Sequence, residues 1–68
     1  MKILKRYIYD DEHGEKIYEF DDINGTPFFV LGYTREDAQK TAEIYFEDPK
    51  CYGRVSYTYA QEMGYDVY

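Results

Sequence analysis

The stretch Lys16-Ile17-Tyr18-Glu19-Phe20-Asp21-Asp22-Ile23-Asn24-Gly25-Thr26-Pro27-Phe28-Phe29-Val30-Leu31 decides the fold. Two runs rich in β-branched and aromatic residues, Lys16 to Ile23 and Thr26 to Leu31, flank Asn24-Gly25. An Asn-Gly pair between such runs predicts a β-hairpin, because a type I′ turn needs positive φ at both central residues. A two-residue turn pairs Ile23 with Thr26, Asp22 with Pro27, Asp21 with Phe28, Phe20 with Phe29, Glu19 with Val30 and Tyr18 with Leu31. One face then carries Tyr18, Phe20, Phe29 and Leu31 and is the better core face. The other, with Ile17, Glu19, Asp21, Phe28 and Val30, is mixed. Pro27 falls at a non-hydrogen-bonded pair, where its missing N–H costs the hairpin no ladder bond.

Outward from the hairpin, Lys2 to Asp10 holds Ile3, Tyr7, Ile8 and Tyr9 and reads as a preceding strand that ends in the polar run Asp10 to Glu15. On the other side Thr34 starts a helix, with Glu36 and Asp37 well placed in its first turn. Ala38, Thr41, Ala42, Tyr45 and Phe46 recur at helical spacing, and Asp48-Pro49 ends the helix. Arg54 to Ala60 alternates Val55, Tyr57 and Tyr59 with Arg54, Ser56 and Thr58 and reads as a further strand. Gln61 to Gly64 turns the chain into a short last strand, Tyr65 to Tyr68. The expected fold is α+β, one domain over 1–68 in the order βββαββ: an antiparallel sheet of four to five strands with one helix packed on one face. Val55, Tyr57 and Tyr59 are then expected to meet that helix at Ala38, Ala42, Tyr45 and Phe46.

A chain of 68 residues has one small core and no interior room for a substrate-sized cavity. Catalysis is disfavoured further by the chemistry present. The single histidine, His13, sits among carboxylates that favour its protonated form, the wrong state for activating the single cysteine, Cys51. Two such ligands cannot close a zinc site. The acids at 10–15 and 19–22 lack the spacing of a calcium loop, and no phosphate-binding glycine motif is present, so no enzyme activity, cofactor or metal is expected. One cysteine allows no internal disulfide, which fits a reducing compartment. Lys2, Lys5 and Arg6 surround only Ile3 and Leu4, short of a signal peptide, and no segment approaches a membrane span. The cytoplasm is the expected location.

The charge is uneven. Fourteen acids stand against eight bases for a net charge of −6, and Asp10 to Asp22 alone holds seven acids and one base. The imbalance is therefore local to this segment, and its self-repulsion costs stability unless something other than folding uses it. A purely solubilising hairpin is the competing explanation. The negative charge also argues against direct binding of nucleic acid, which needs a positive footprint. Ten tyrosines cannot all lie inside so small a domain, and exposed tyrosine is a favoured contact residue. The candidate partner-binding residues are accordingly Asp10, Asp11, Glu12, Glu15, Glu19, Asp21 and Asp22, with Tyr7 and Tyr9 beside the acidic loop.

The segment Thr34 to Ala42 followed by Gly53-Arg54-Val55-Ser56-Tyr57 resembles the helix-then-strand pattern of some anti-CRISPR proteins, the small acidic inhibitors made by phages and mobile elements. The resemblance is one of type and covers under half the chain. It implies a noncatalytic inhibitor that docks on a CRISPR effector, or another nucleic-acid-binding protein with a basic surface, by presenting carboxylates where phosphates would sit. It carries no functional residue over to this chain. The alternative is a small structural or regulatory accessory subunit, with exposed aromatics forming an oligomer interface such as a homodimer.

Overall fold

The computed structural model describes residues 14–68. The expected first strand, with Tyr7, Tyr9, Asp10, Asp11, Glu12 and His13, lies outside them. The described chain runs β1 (Lys16–Asp21), β2 (Pro27–Gly32), α1 (Arg35–Tyr45), β3 (Lys50–Val55) and α2 (Tyr57–Met63). The three strands form an antiparallel sheet in the order β2-β1-β3. The α+β class is as expected. The strand count and the single helix are not: among the described residues there are three strands and two helices, one on each face of the sheet.

The hairpin forms around Asn24-Gly25 with a loop one residue longer than expected. Asp22 N–H donates to the Thr26 carbonyl at 2.9 Å and Gly25 N–H donates to the Asp22 carbonyl at 2.9 Å, leaving Ile23, Asn24 and Gly25 in the loop. Asp22 is the cause. Its Oδ1 accepts from the backbone N–H of Asn24 at 2.8 Å and of Thr26 at 2.9 Å, a side-chain turn that draws Ile23 out of the ladder. Gly25 takes φ 83° while Asn24 stays out of the positive region, so the type I′ geometry is not formed.

One residue of slip moves a whole side-chain set to the other face. Asp21 pairs with Pro27, Phe20 with Phe28, Glu19 with Phe29, Tyr18 with Val30 and Ile17 with Leu31. Pro27 keeps its non-hydrogen-bonded position, now opposite Asp21, since the neighbouring 22–26 pair carries the bond. Tyr18, Phe20, Phe28 and Val30 form one core with Ala38 and Ala42 of α1; Ile17, Phe29 and Leu31 form a second with Ala60 of α2 and Val67. The expected face of Tyr18, Phe20, Phe29 and Leu31 is thus divided between the two. Phe28 to Leu31 is an unbroken buried run, the pattern of a strand covered on both sides.

Thr34 caps α1 as expected, its hydroxyl accepting from Asp37 N–H at 3.1 Å. Ala38 and Ala42 are fully buried, and Phe46 stacks on Phe28 at 4.0 Å between ring centroids. Tyr45 stays 59% exposed, its ring against Tyr68 instead of the sheet.

The expected strand Arg54 to Ala60 is corrected. The strand lies earlier, at Lys50–Val55, and the remaining residues belong to α2. Ser56 accepts from Tyr59 N–H at 3.0 Å as N-cap, and Gly64, in the left-handed region at φ 69°, donates to the Ala60 carbonyl at 3.0 Å. Satisfied caps at both ends outweigh the β preference of Tyr57, Thr58 and Tyr59. Val55, Tyr57 and Tyr59 are half-buried on the Ile17, Phe29 and Leu31 side, opposite α1, so their expected contact with Ala38 and Ala42 does not exist. The expected last strand shrinks to one parallel bridge between Phe29 and Val67. Phe29 N–H bonds the Asp66 carbonyl at 2.8 Å, Tyr68 N–H the Phe29 carbonyl at 2.9 Å, and Leu31 N–H the Tyr68 carbonyl at 2.9 Å.

Candidate binding face

Period-two alternation places Ile17, Glu19 and Asp21 of β1 on the α2 side of the sheet. Ile17 is covered by the second core, while Glu19 and Asp21 continue past its rim and are only half-buried. Each meets a tyrosine phenol from a different element. Tyr59 of α2 donates to Glu19 Oε1 at 2.8 Å, and Tyr52 of β3 donates to Asp21 Oδ2 at 3.0 Å. Lys50 Nζ lies 5.4 Å from the centroid of the Tyr52 ring, within cation–π range.

A β-bulge makes the second pair possible. The register between β1 and β3 shifts at Glu19/Phe20, with Glu19 opposite Gly53 and Phe20 opposite Cys51, which leaves Tyr52 as the extra residue. In a regular strand Tyr52 and Val55, three apart, would face opposite sides. The bulge resets the alternation, so Val55 packs in the second core while Tyr52 reaches Asp21 on that same side. Gly53 carries the local distortion at φ 120°, a value that a residue with a side chain rarely adopts.

Both phenols are held protonated. The Tyr52 pKa is raised above the ordinary tyrosine value first by its hydrogen bond to Asp21, then by burial and by the charges of Asp21 and Glu19. That of Tyr59 is raised by its hydrogen bond to Glu19, then by burial, the Glu19 charge and Tyr65. Each phenol occupies one acceptor position of its carboxylate. A carboxylate offers about four, so each keeps further acceptor positions and its charge.

Of the nine residues named from sequence, Glu19 and Asp21 come together on this face. Asp22 is committed to the hairpin turn, and Glu15 is half-buried just before β1. Asp10, Asp11, Glu12, Tyr7 and Tyr9 lie outside the described residues. Sequence reasoning missed Tyr52 and assigned Tyr59 to a core strand; the signal for Tyr52 was Gly53, since glycine inside a strand marks a bulge. Cys51 is half-buried against the α1-side core, unpaired. Among the described residues no group of three His, Cys, Asp or Glu side chains is placed to hold a metal, and no helix is long and apolar enough to cross a membrane.

These features define a small α+β domain with a carboxylate–tyrosine face on one side of its sheet. In comparisons with known proteins the chain matches no protein family, no curated protein and no solved structure.

Proposed function

We propose that this is a noncatalytic binding protein whose acidic, tyrosine-bearing face docks on the basic nucleic-acid-binding surface of another protein, in the manner of a DNA mimic. The observation that carries the reading is the pair of phenol-clamped carboxylates, Glu19–Tyr59 and Asp21–Tyr52, half-buried side by side on the α2 face of the sheet. Free glutamate and aspartate side chains lose rotamer freedom when a partner binds them. Carboxylates already fixed by a hydrogen bond avoid part of that loss, while their charge steers association with a basic surface. Lys50 and the Tyr52 ring supply short-range contact beside them. A CRISPR effector is the partner that the resemblance to anti-CRISPR proteins implies.

The test is competition with target duplex DNA for purified CRISPR effectors and other basic DNA-binding proteins across a salt series. Displacement that weakens steeply with salt is expected. The double variant Glu19→Gln and Asp21→Asn keeps both acceptors for the phenols and removes both charges, so it should melt like the parent and lose about tenfold or more in affinity, roughly 1.4 kcal/mol. Full affinity in that variant, or salt-insensitive binding, would refute the reading. Self-association that persists in the variant would instead support the accessory-subunit alternative, built on exposed Tyr33, Tyr45 and Ile44.

A further inference from the structure

The hairpin loop joins a reactive dipeptide to a structural restraint on it. Asn24 and Gly25 are exposed, and nothing lies within 4 Å of the place a Cβ would occupy on Gly25. An asparagine followed by glycine is chemically labile, because the unhindered glycine nitrogen can attack the asparagine side chain. Here that nitrogen is engaged: Gly25 N–H donates to the Asp22 carbonyl at 2.9 Å. The amides on either side of it, those of Asn24 and Thr26, are pinned on Asp22 Oδ1 at 2.8 and 2.9 Å. All three N–H groups of the segment therefore converge on one residue.

We propose that Asn24 is a spontaneous deamidation site and that Asp22, by holding the turn closed, sets how fast it reacts. The Gly25 nitrogen gives up its proton and attacks Cγ of Asn24. A bond forms between that nitrogen and Cγ, the Cγ–Nδ2 bond breaks, and ammonia leaves carrying the proton, with a five-membered succinimide remaining. Water then opens the ring. Attack at Cγ restores the ordinary backbone with an aspartate side chain, whereas attack at the backbone carbonyl carbon leaves isoaspartate, with the chain running through Cγ. No oxidant or other co-reactant is needed.

Attack requires Gly25 to release its bond to Asp22 and the backbone at Asn24 to rotate, so the reaction draws on the opened turn and its rate follows the open fraction. The products matter because of where they fall. Aspartate adds a negative charge next to Asp21 and Asp22. Isoaspartate adds a backbone carbon to a three-residue loop, and the length of that loop fixes the register that divides Phe28 and Val30 from Phe29 and Leu31.

The experiment follows the mass gain and isoaspartate content of the peptide containing Asn24 by fragmentation mass spectrometry, for the full chain incubated in mildly alkaline buffer with and without urea. Native chain is expected to react at least about tenfold more slowly than unfolded chain, the factor given by ~1.4 kcal/mol of turn stability. In native buffer Asp22→Ala, which keeps the carbonyl that Gly25 bonds but loses the Oδ1 that pins Asn24 and Thr26, should react measurably faster than the parent, and Asp22→Asn, which keeps an Oδ1 acceptor, should stay near the parent. Equal rates in native and unfolded parent chain, no reaction in either, or an Asp22→Ala rate no faster than the parent would each overturn the proposal. The comparison of native with unfolded parent needs no variant and holds even if Asp22→Ala fails to fold.

Discussion

Gly32→Ala tests how closely α1 lies on the sheet. Gly32 is the buried last residue of β2, and it is absent from the glycines with positive φ, so alanine there meets no backbone strain. On chain entropy alone the change should stabilise by about 0.4–1 kcal/mol, because it narrows the unfolded ensemble. Contact decides otherwise. A Cβ on Gly32 would stand 2.9 Å from the Ala38 nitrogen and 3.2 Å from both its Cα and Cβ. Two of those three atoms are helix backbone, so no rotamer change relieves the clash and α1 itself must move outward. That motion loosens Ala38 and Ala42 from Tyr18, Phe20, Phe28 and Val30. Overpacking of this kind costs about 1–3 kcal/mol, leaving a net destabilisation of about 1–2 kcal/mol once the entropic gain is subtracted. For a domain of this size each kcal/mol lowers the melting temperature by roughly 4–8 °C, so a fall of roughly 5–15 °C is expected by circular dichroism. Amide exchange should accelerate in α1 more than in β1. An unchanged or raised melting temperature would refute the close approach of α1 to β2.

Two further perturbations probe the sheet margin and the chain end. Folding raises the pKa of Tyr52 and Tyr59, so the folded state holds those protons more tightly; the stability they contribute is whole below about pH 10 and is lost as pH climbs through the raised values. Tyrosinate absorbance should show two late-titrating phenols and denaturant midpoints should fall over that same range, and Tyr52→Phe with Tyr59→Phe should remove both effects. Deleting Asp66 to Tyr68 removes three backbone hydrogen bonds to β2, the buried Val67 and the Tyr68 ring against Phe28, Tyr45 and Phe46. Urea titration should show a loss of about 2 kcal/mol or more, and sedimentation should show self-association through the bared β2 edge.

The hairpin, the helix start at Thr34 and the α+β class were legible because each rests on local chemistry: a turn pair between strand-forming runs and a hydroxyl cap before an amphipathic stretch. Register was not legible from Asn24-Gly25 alone, because the preceding Asp22 competes for the same amides with its carboxylate. The unbroken run Phe28-Phe29-Val30-Leu31 was the available counter-signal, since a strand with one wet face alternates and this one does not. In α2 the alternation of Tyr57 and Tyr59 over seven residues matched a strand as well as a helix; Ser56 and Gly64, spaced to cap both ends, carried the deciding information. Gly32 is a packing position against Ala38 that no local pattern marks. Of the candidate site, the acids were legible as charge, but their phenol partners sit 31 and 40 residues away and are brought to them only by the bulge and by α2.

The abundance of tyrosine and the placement of the acids have one physical origin. Among the described residues both faces of the sheet carry a small core, and the tyrosine rings packed around Phe28 and Phe29 are only partly buried at its edge. Tyr59 and Tyr65 lie 6.2 and 5.1 Å from Phe29 on one face, and Tyr68 lies 5.9 Å from Phe28 on the other. Phenylalanine would bury the same ring there but leave its far edge bare to water; a phenol ends each ring in a group that bonds water or an acceptor. On the α2 side, one such rim phenol, Tyr59, ends at Glu19, and Tyr52 reaches Asp21 next to it. The seam where the core stops is therefore the same line of atoms as the proposed binding face. Truncating Glu19 or Asp21 to alanine would disturb folding and recognition together, whereas their amide counterparts keep the seam closed and remove only charge, which separates what these carboxylates do for the fold from what they offer a partner.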